Sequence, residues 1–362
     1  MGPTTPFLLF FLPSIVAGKT PLFPAIFVFG DSTVDPGNNN YIPTISRADH
    51  APYGRNFPGK AATGRFTDGK LIPDILASMV GLKETIPPYL DPSLSDEDIV
   101  TGVSFASGGS GYDEKTTALT GAIHVLRQLE YFNKYISRLE GIVGKSESAG
   151  ILSRSLAIIS CGTNDLVLSY YDIPTEGPHF NVDQYQDFLL DKLRFILKAL
   201  YDLGVRKIAV AGLPPIGCLP LQLTVWSPLL RECIEDQNSD VEVYNAKLQN
   251  LLSRTRDQLK GSIILYADIF TVPIDIVRSP HKYGLVETKL GCCGSGALEA
   301  GPICTELSPV CGNVEEYMFF DSIHPTESVY KIVTRRVVTK LVPLFLNNNT
   351  HTVAIERTDF KF

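Results

Sequence analysis

Five short apolar or β-branched runs, each closed by small or polar residues, mark the chain at 25–29, 99–105, 156–160, 207–211 and 262–267. Apolar character that does not alternate predicts strands buried on both faces, as parallel strands are. Between them, residues 123–139, 182–203 and 236–259 repeat apolar side chains at three- and four-residue spacing, the mark of amphipathic helices. Strand, helix, strand in succession predicts an α/β fold. Ligands of such folds sit at the carboxyl ends of the strands, so the residues just after each run carry the most weight for chemistry. No long linker, repeat or low-complexity segment interrupts the pattern. One domain is therefore expected over 25–345, with a polar tail at 346–362. The Pro/Gly-rich segments 36–64, 212–228 and 278–313 are expected as long excursions on that scaffold.

Composition narrows the function classes. A chain of 362 residues with a net charge of −7 buries a full-sized core but has no basic footprint, which excludes nucleic acid and anionic membrane surfaces as partners. Residues 6–16 form an apolar run followed by Ala17 and Gly18, so residues 1–18 are expected to be a signal peptide. The run is too short to span a bilayer, and no stable membrane insertion is expected. Six of the seven cysteines flank loops: Cys218, Cys233, Cys292, Cys293, Cys304 and Cys311. Adjacent Cys292 and Cys293 do not fit the Cys-x-x-Cys spacing of a zinc site, so disulfides are expected, with the connectivity of the cluster left open. Cys161, in an apolar run, is expected as a buried free thiol. Asn348-Asn349-Thr350 places a glycosylation sequon in the tail. Together these features predict a secreted, extracellular protein.

Candidate chemistry follows the strands. After the first run comes Gly30-Asp31-Ser32-Thr33-Val34-Asp35-Pro36-Gly37-Asn38-Asn39, a serine on an expected strand-to-helix turn. Taken alone, it reads as a helix cap. The second run enters a glycine-rich stretch, Gly102 to Gly111, whose glycines let backbone amides face a developing anion without Cβ obstruction, though a tight turn explains them equally well. The third ends in Cys161-Gly162-Thr163-Asn164-Asp165, where Asn164 offers an amide donor. Far downstream, Asp321-Ser322-Ile323-His324 spaces a carboxylate and an imidazole so that one ring nitrogen is held while the other faces outward. No Gly-x-Ser-x-Gly elbow, dinucleotide, P-loop or zinc-protease signature is present.

In this order, the motifs resemble the GDSL family of esterases and lipases, or SGNH hydrolases, over residues 25–345. The segments Thr63 to Gly69, Gly212 to Cys218 and the Cys292-Cys293-Gly294 cluster are similar to its plant extracellular branch. The resemblance implies a flavodoxin-like three-layer α/β/α sandwich around a mainly five-stranded parallel sheet. It implies a Ser32 nucleophile, His324 base and Asp321 partner. It further implies an oxyanion hole from the amides of Ser32 and Gly109 and the side chain of Asn164. No metal or cofactor is implied, and the substrate would be a small-molecule or lipid ester. Thr33 and Ser104 depart from the family pattern. Thr33 is expected to matter little, its side chain pointing away from the reacting centre, and Ser104 to alter the bracing of the Gly109 loop. Two other readings remain open: acyl transfer from the same acyl-enzyme to an alcohol, and a catalytically silent binding protein.

Overall fold

The structure, a computed structural model, describes residues 20–173 and 180–346. The expected signal peptide, the Asn348 sequon and the tail beyond residue 346 lie outside the described residues.

Four strands, β1 (Ile26–Gly30), β2 (Leu156–Ser160), β3 (Lys207–Ala211) and β4 (Ile263–Ala267), form a parallel sheet in the order β1-β2-β3-β4. Each follows a predicted run within a residue or two. Alternate residues serve opposite cores, as the pleat requires. Phe27, Phe29, Ala157, Ile159, Ile208 and Val210 face one apolar cluster, whereas Ile26, Val28, Leu156, Ile158 and Ala209 face the other.

The helices, in chain order, are α1 (Ile72–Met79), α2 (Asp96–Thr101), α3 (Glu114–Thr120), α4 (Val125–Val143), α5 (Lys145–Arg154), α6 (Val182–Asp202), α7 (Pro220–Trp226), α8 (Glu235–Gln258), α9 (Thr271–Arg278) and α10 (Glu327–Leu346). Helices α4, α6 and α8 cover the first face through Phe132, Leu193 and Leu248, and α1 and α10 cover the second through Leu76 and Val338. The result is a three-layer α/β/α sandwich. Local chemistry sets the ends: Asn181 caps α6 in a reciprocal box with Gln184, and the left-handed Gly121 stops α3.

The second predicted run is the exception. Ile99 to Thr101 finish α2, because Ser95 and Asp98 form a capping box whose hydrogen bonds outweigh the β-propensity of Ile99 and Val100. Only the segment after Gly102 lies along β1, with Val28 N donating to Val103 O, Phe105 N to Val28 O and Ser107 N to Gly30 O. Gly102, at φ 94°, permits this approach; a Cβ there would sit 2.1 Å from the Ile26 carbonyl oxygen. The fifth strand is thus a bridged edge segment, and with it the order in chain sequence becomes 2-1-3-4-5, the flavodoxin-like arrangement.

A small parallel pair, β5 (Glu287–Gly291) with β6 (Tyr317–Phe319), leads into Asp321 and His324. Disulfides join Cys292 to Cys311, Cys293 to Cys304 and Cys218 to Cys233, and Cys161 is a buried free thiol. The backbone of Cys292 and Cys293 donates to Phe319 and Phe320, so two disulfides anchor the polypeptide immediately before Asp321. Among the described residues no helix is long and apolar enough to cross a membrane.

Three buried carboxyls carry a cost of folding. Burial pushes Asp31 and Asp35 up to about 6 and Asp165 to about 7, against the pull of their hydrogen-bond donors. The folded state therefore holds more protons than the unfolded chain between about pH 4 and 7. Their contribution to stability is full below the unfolded value and is lost as pH rises through the folded one. The melting temperature is expected to fall by a few degrees from pH 5 to pH 8, and Asp165→Asn to flatten part of that slope. A level or rising melting temperature over this range would contradict it.

Candidate active site

β1 delivers Ser32 through a turn that only glycine can enter. Gly30 sits at φ 138°, and a Cβ on it would lie 1.8 Å from the Ser160 carbonyl oxygen. Asp31 closes the turn by accepting from the amide and hydroxyl of Thr33, at 3.0 and 2.7 Å. No α-helix begins here. The chain passes instead into a single 3-10 turn at Asn38–Tyr41, since Pro36 and Gly37 break the path and Asp35 takes the amides of Gly37 and Asn38. The capping role that Ser32 offers on local sequence therefore falls to Asp31 and Asp35. Ser32 is left with its hydroxyl free for a distant partner.

That partner is His324. Its Nε2 lies 2.7 Å from Ser32 Oγ, and its Nδ1 lies 2.7 Å from Asp321 Oδ2. Asp321 shapes the histidine turn as well, accepting the amides of Ile323 and His324 at 2.8 and 2.7 Å. Tyr53 donates its hydroxyl to Asp321 Oδ2 at 2.7 Å and accepts the Gly301 amide, and Phe66 packs on the imidazole with ring centroids 4.9 Å apart. All three polar side chains are buried.

The glycine-rich stretch is gripped from the Ser32 turn. Asp35 takes the Gly108 amide, Asn39 donates to the Gly108 carbonyl and bonds Ser107, and Asn38 donates to the carbonyls of Ser104 and Ala106. Ser104 spans the same junction, donating to Val34 O and accepting the Ala106 amide. The amides of Ser32 and Gly109 carry no hydrogen bond among the described residues. Asn164 donates one amide proton to Ser110 O at 2.9 Å and lines the cavity that contains Ser32.

Three participants escape sequence reading: Asp35, Tyr53 and Gln128. Gln128 pairs with both the amide and the carbonyl of Gly30 at 2.8 Å, fixing the turn from α4. Only the polar density of Asp35 to Asn40 gave any local sign. Thr33 is more involved than its sequence position suggests, since its hydroxyl bonds Asp31 and Ser160 and it lines the cavity beside Ser32.

A hydrogen-bonded aspartate, histidine and serine at the carboxyl edge of a parallel sheet form the arrangement that serine hydrolases of α/β fold use for acyl transfer to water. Comparison with known proteins sharpens this. The family described as GDSL-like lipase/acylhydrolase matches residues 26–337, and the chain belongs to it. Three Arabidopsis thaliana relatives illustrate the similarity. GDSL esterase/lipase At2g31550 is 50% identical over 89% of this chain and 90% of its own. GDSL esterase/lipase At1g06990 is 48% identical over 88% of this chain and 89% of its own. GDSL esterase/lipase At2g24560 is 51% identical over 87% of both. The protein is an ester hydrolase of this family.

Proposed function

We propose that the protein is a secreted esterase acting on acyl-lipid esters through a Ser32 acyl-enzyme. The observation that carries the proposal is the unbroken relay from Asp321 through His324 to Ser32, each link 2.7 Å. His324 Nε2 takes the Ser32 proton as Oγ bonds the carbonyl carbon. The oxyanion that forms is met by the amides of Ser32 and Gly109 and by the second amide proton of Asn164. A missing donor of this kind typically lowers turnover about 10²- to 10³-fold. Collapse expels the alcohol, which recovers its proton from His324. Water activated by the same nitrogen then cleaves the acyl-enzyme.

An apolar acyl group is supported by the cavity at Ser32, whose walls include Ile158, Ala209, Ile269 and Val333. Secretion is supported by three disulfides and by the apolar run at residues 6–16.

One experiment tests both halves. The full chain is expressed in cells with a secretory pathway, and medium and cell fractions are treated with a fluorophosphonate probe. Wild type is expected to label in the medium, and Ser32→Ala to appear there unlabelled. Labelled protein confined to the cells would overturn secretion, and a wild type that resists the probe would overturn the activated serine.

A further inference from the structure

The inner strands β2 and β3 have neighbours on both sides, yet one of their faces is not fully covered. Ala157, Ile159, Ile208 and Val210, on the first face, are 0% exposed, whereas Ile158 and Ala209, on the second, are 8% and 7% exposed. Ala211 and Ala267, at the carboxyl ends of β3 and β4, are 8% and 7% exposed. A position inside a covered sheet gains that exposure only from an internal void. The void is a cavity of about 110 Å³ that begins at Ser32 and runs between the sheet and α10. Three alanines form its floor; larger side chains there would close it.

The roof gives the slot a direction. Helix α10 starts three residues after His324, and Val329, Val333 and Val337 line the cavity from it at four-residue spacing, one face of one helix. At 1.5 Å per residue, Val337 lies about 12 Å further along the axis than Val329. Val337 also borders a second cavity of about 400 Å³, whose walls include Glu242, Asp268, Arg336 and Lys340 beside Tyr266, Phe270 and Leu341. Val337 thus marks the point where the apolar slot gives way to a lining that carries charge.

We propose that this slot is the acyl site and selects unbranched aliphatic chains, Ala209 setting its width and Val337 its length. The inference rests on the Ser32 acyl-enzyme reading. The valine line runs about 12 Å, a length that a polymethylene chain can follow and that a single rigid ring does not span.

The test compares kcat/KM for p-nitrophenyl acetate, octanoate, laurate and benzoate, with fluorophosphonate labelling recorded for each protein. Wild type is expected to favour octanoate over both acetate and benzoate. Ala209→Leu should lower the octanoate-to-acetate ratio by about tenfold or more, the scale on which pockets discriminate methylenes. Val337→Ala should raise the laurate-to-octanoate ratio, and it decides the matter alone if Ala209→Leu does not fold. If Val337→Ala keeps the wild-type ratios while Ser32 still labels, the slot is not the acyl site and the acyl-enzyme stands. If wild-type Ser32 fails to label, the acyl-enzyme and the slot fall together.

Discussion

Replacing Ser32 with alanine is expected to lower kcat for p-nitrophenyl butyrate by about 10⁴- to 10⁶-fold, the scale seen when a serine nucleophile is removed. The size follows from the geometry. Ser160 and Thr163 also line the cavity, but the Ser160 hydroxyl is engaged with Thr33, and His324 Nε2 meets only Ser32. Among the described residues no second hydroxyl is placed to inherit the base. The loss should come without unfolding, because among the described residues Ser32 Oγ has no hydrogen bond apart from the one to His324, and the turn is held by Asp31 and Gln128. Thermal melting and circular dichroism should match wild type. Activity within tenfold of wild type would show that the reaction does not pass through this serine.

Asp321→Asn should be nearly as severe, about 10⁴-fold in kcat. Asp321 is fully buried, and its oxygens accept from His324 Nδ1, from two backbone amides and from Tyr53. With aspartate there, the imidazole keeps its proton on Nδ1 and turns a lone pair toward Ser32. An asparagine preserves the shape but places an amide NH₂ where an acceptor stood. If that NH₂ meets Nδ1, the ring must carry its proton on Nε2 and cannot receive the one from Ser32. The folded structure should survive, since the backbone amides retain the other oxygen. A loss smaller than tenfold would show that the carboxylate neither sets the tautomer nor stabilises the imidazolium. Reading kcat and KM separately matters here, because a tautomer defect acts on kcat while a collapsed pocket would raise KM.

Some of this architecture is written locally. The runs that become β1 to β4 are continuous in apolar residues because helices pack on both faces of the sheet, and the periodicity of α4, α6 and α8 follows from one buried stripe on each. Where two local signals compete, the stronger one wins. At 99–101 the Ser95–Asp98 box draws the chain into a helix that β-propensity alone does not anticipate. The turn at Ser32 shows the same competition, since Asp31, Ser32 and Thr33 all read as caps, and only the fold decides which side chain is used and which is released.

Sequence by itself determined the chemical inventory: a serine, an asparagine, a glycine-rich stretch and an Asp-x-x-His, each beside an apolar run, in an order shared with a family. It also fixed the Asp321–His324 pair, because a carboxylate three residues before a histidine reaches its ring within one turn. Tertiary structure alone decided that Ser32, 292 residues away, meets that ring at 2.7 Å. It alone recruited Tyr53, 268 residues from Asp321, and Gln128, 98 residues from Gly30, to hold the site in place. The slot beneath α10 belongs to the same category. Three alanines on two strands and a row of valines on one helix are unremarkable in sequence. They border a cavity only because strand register and helix packing leave space between them that neither element fills.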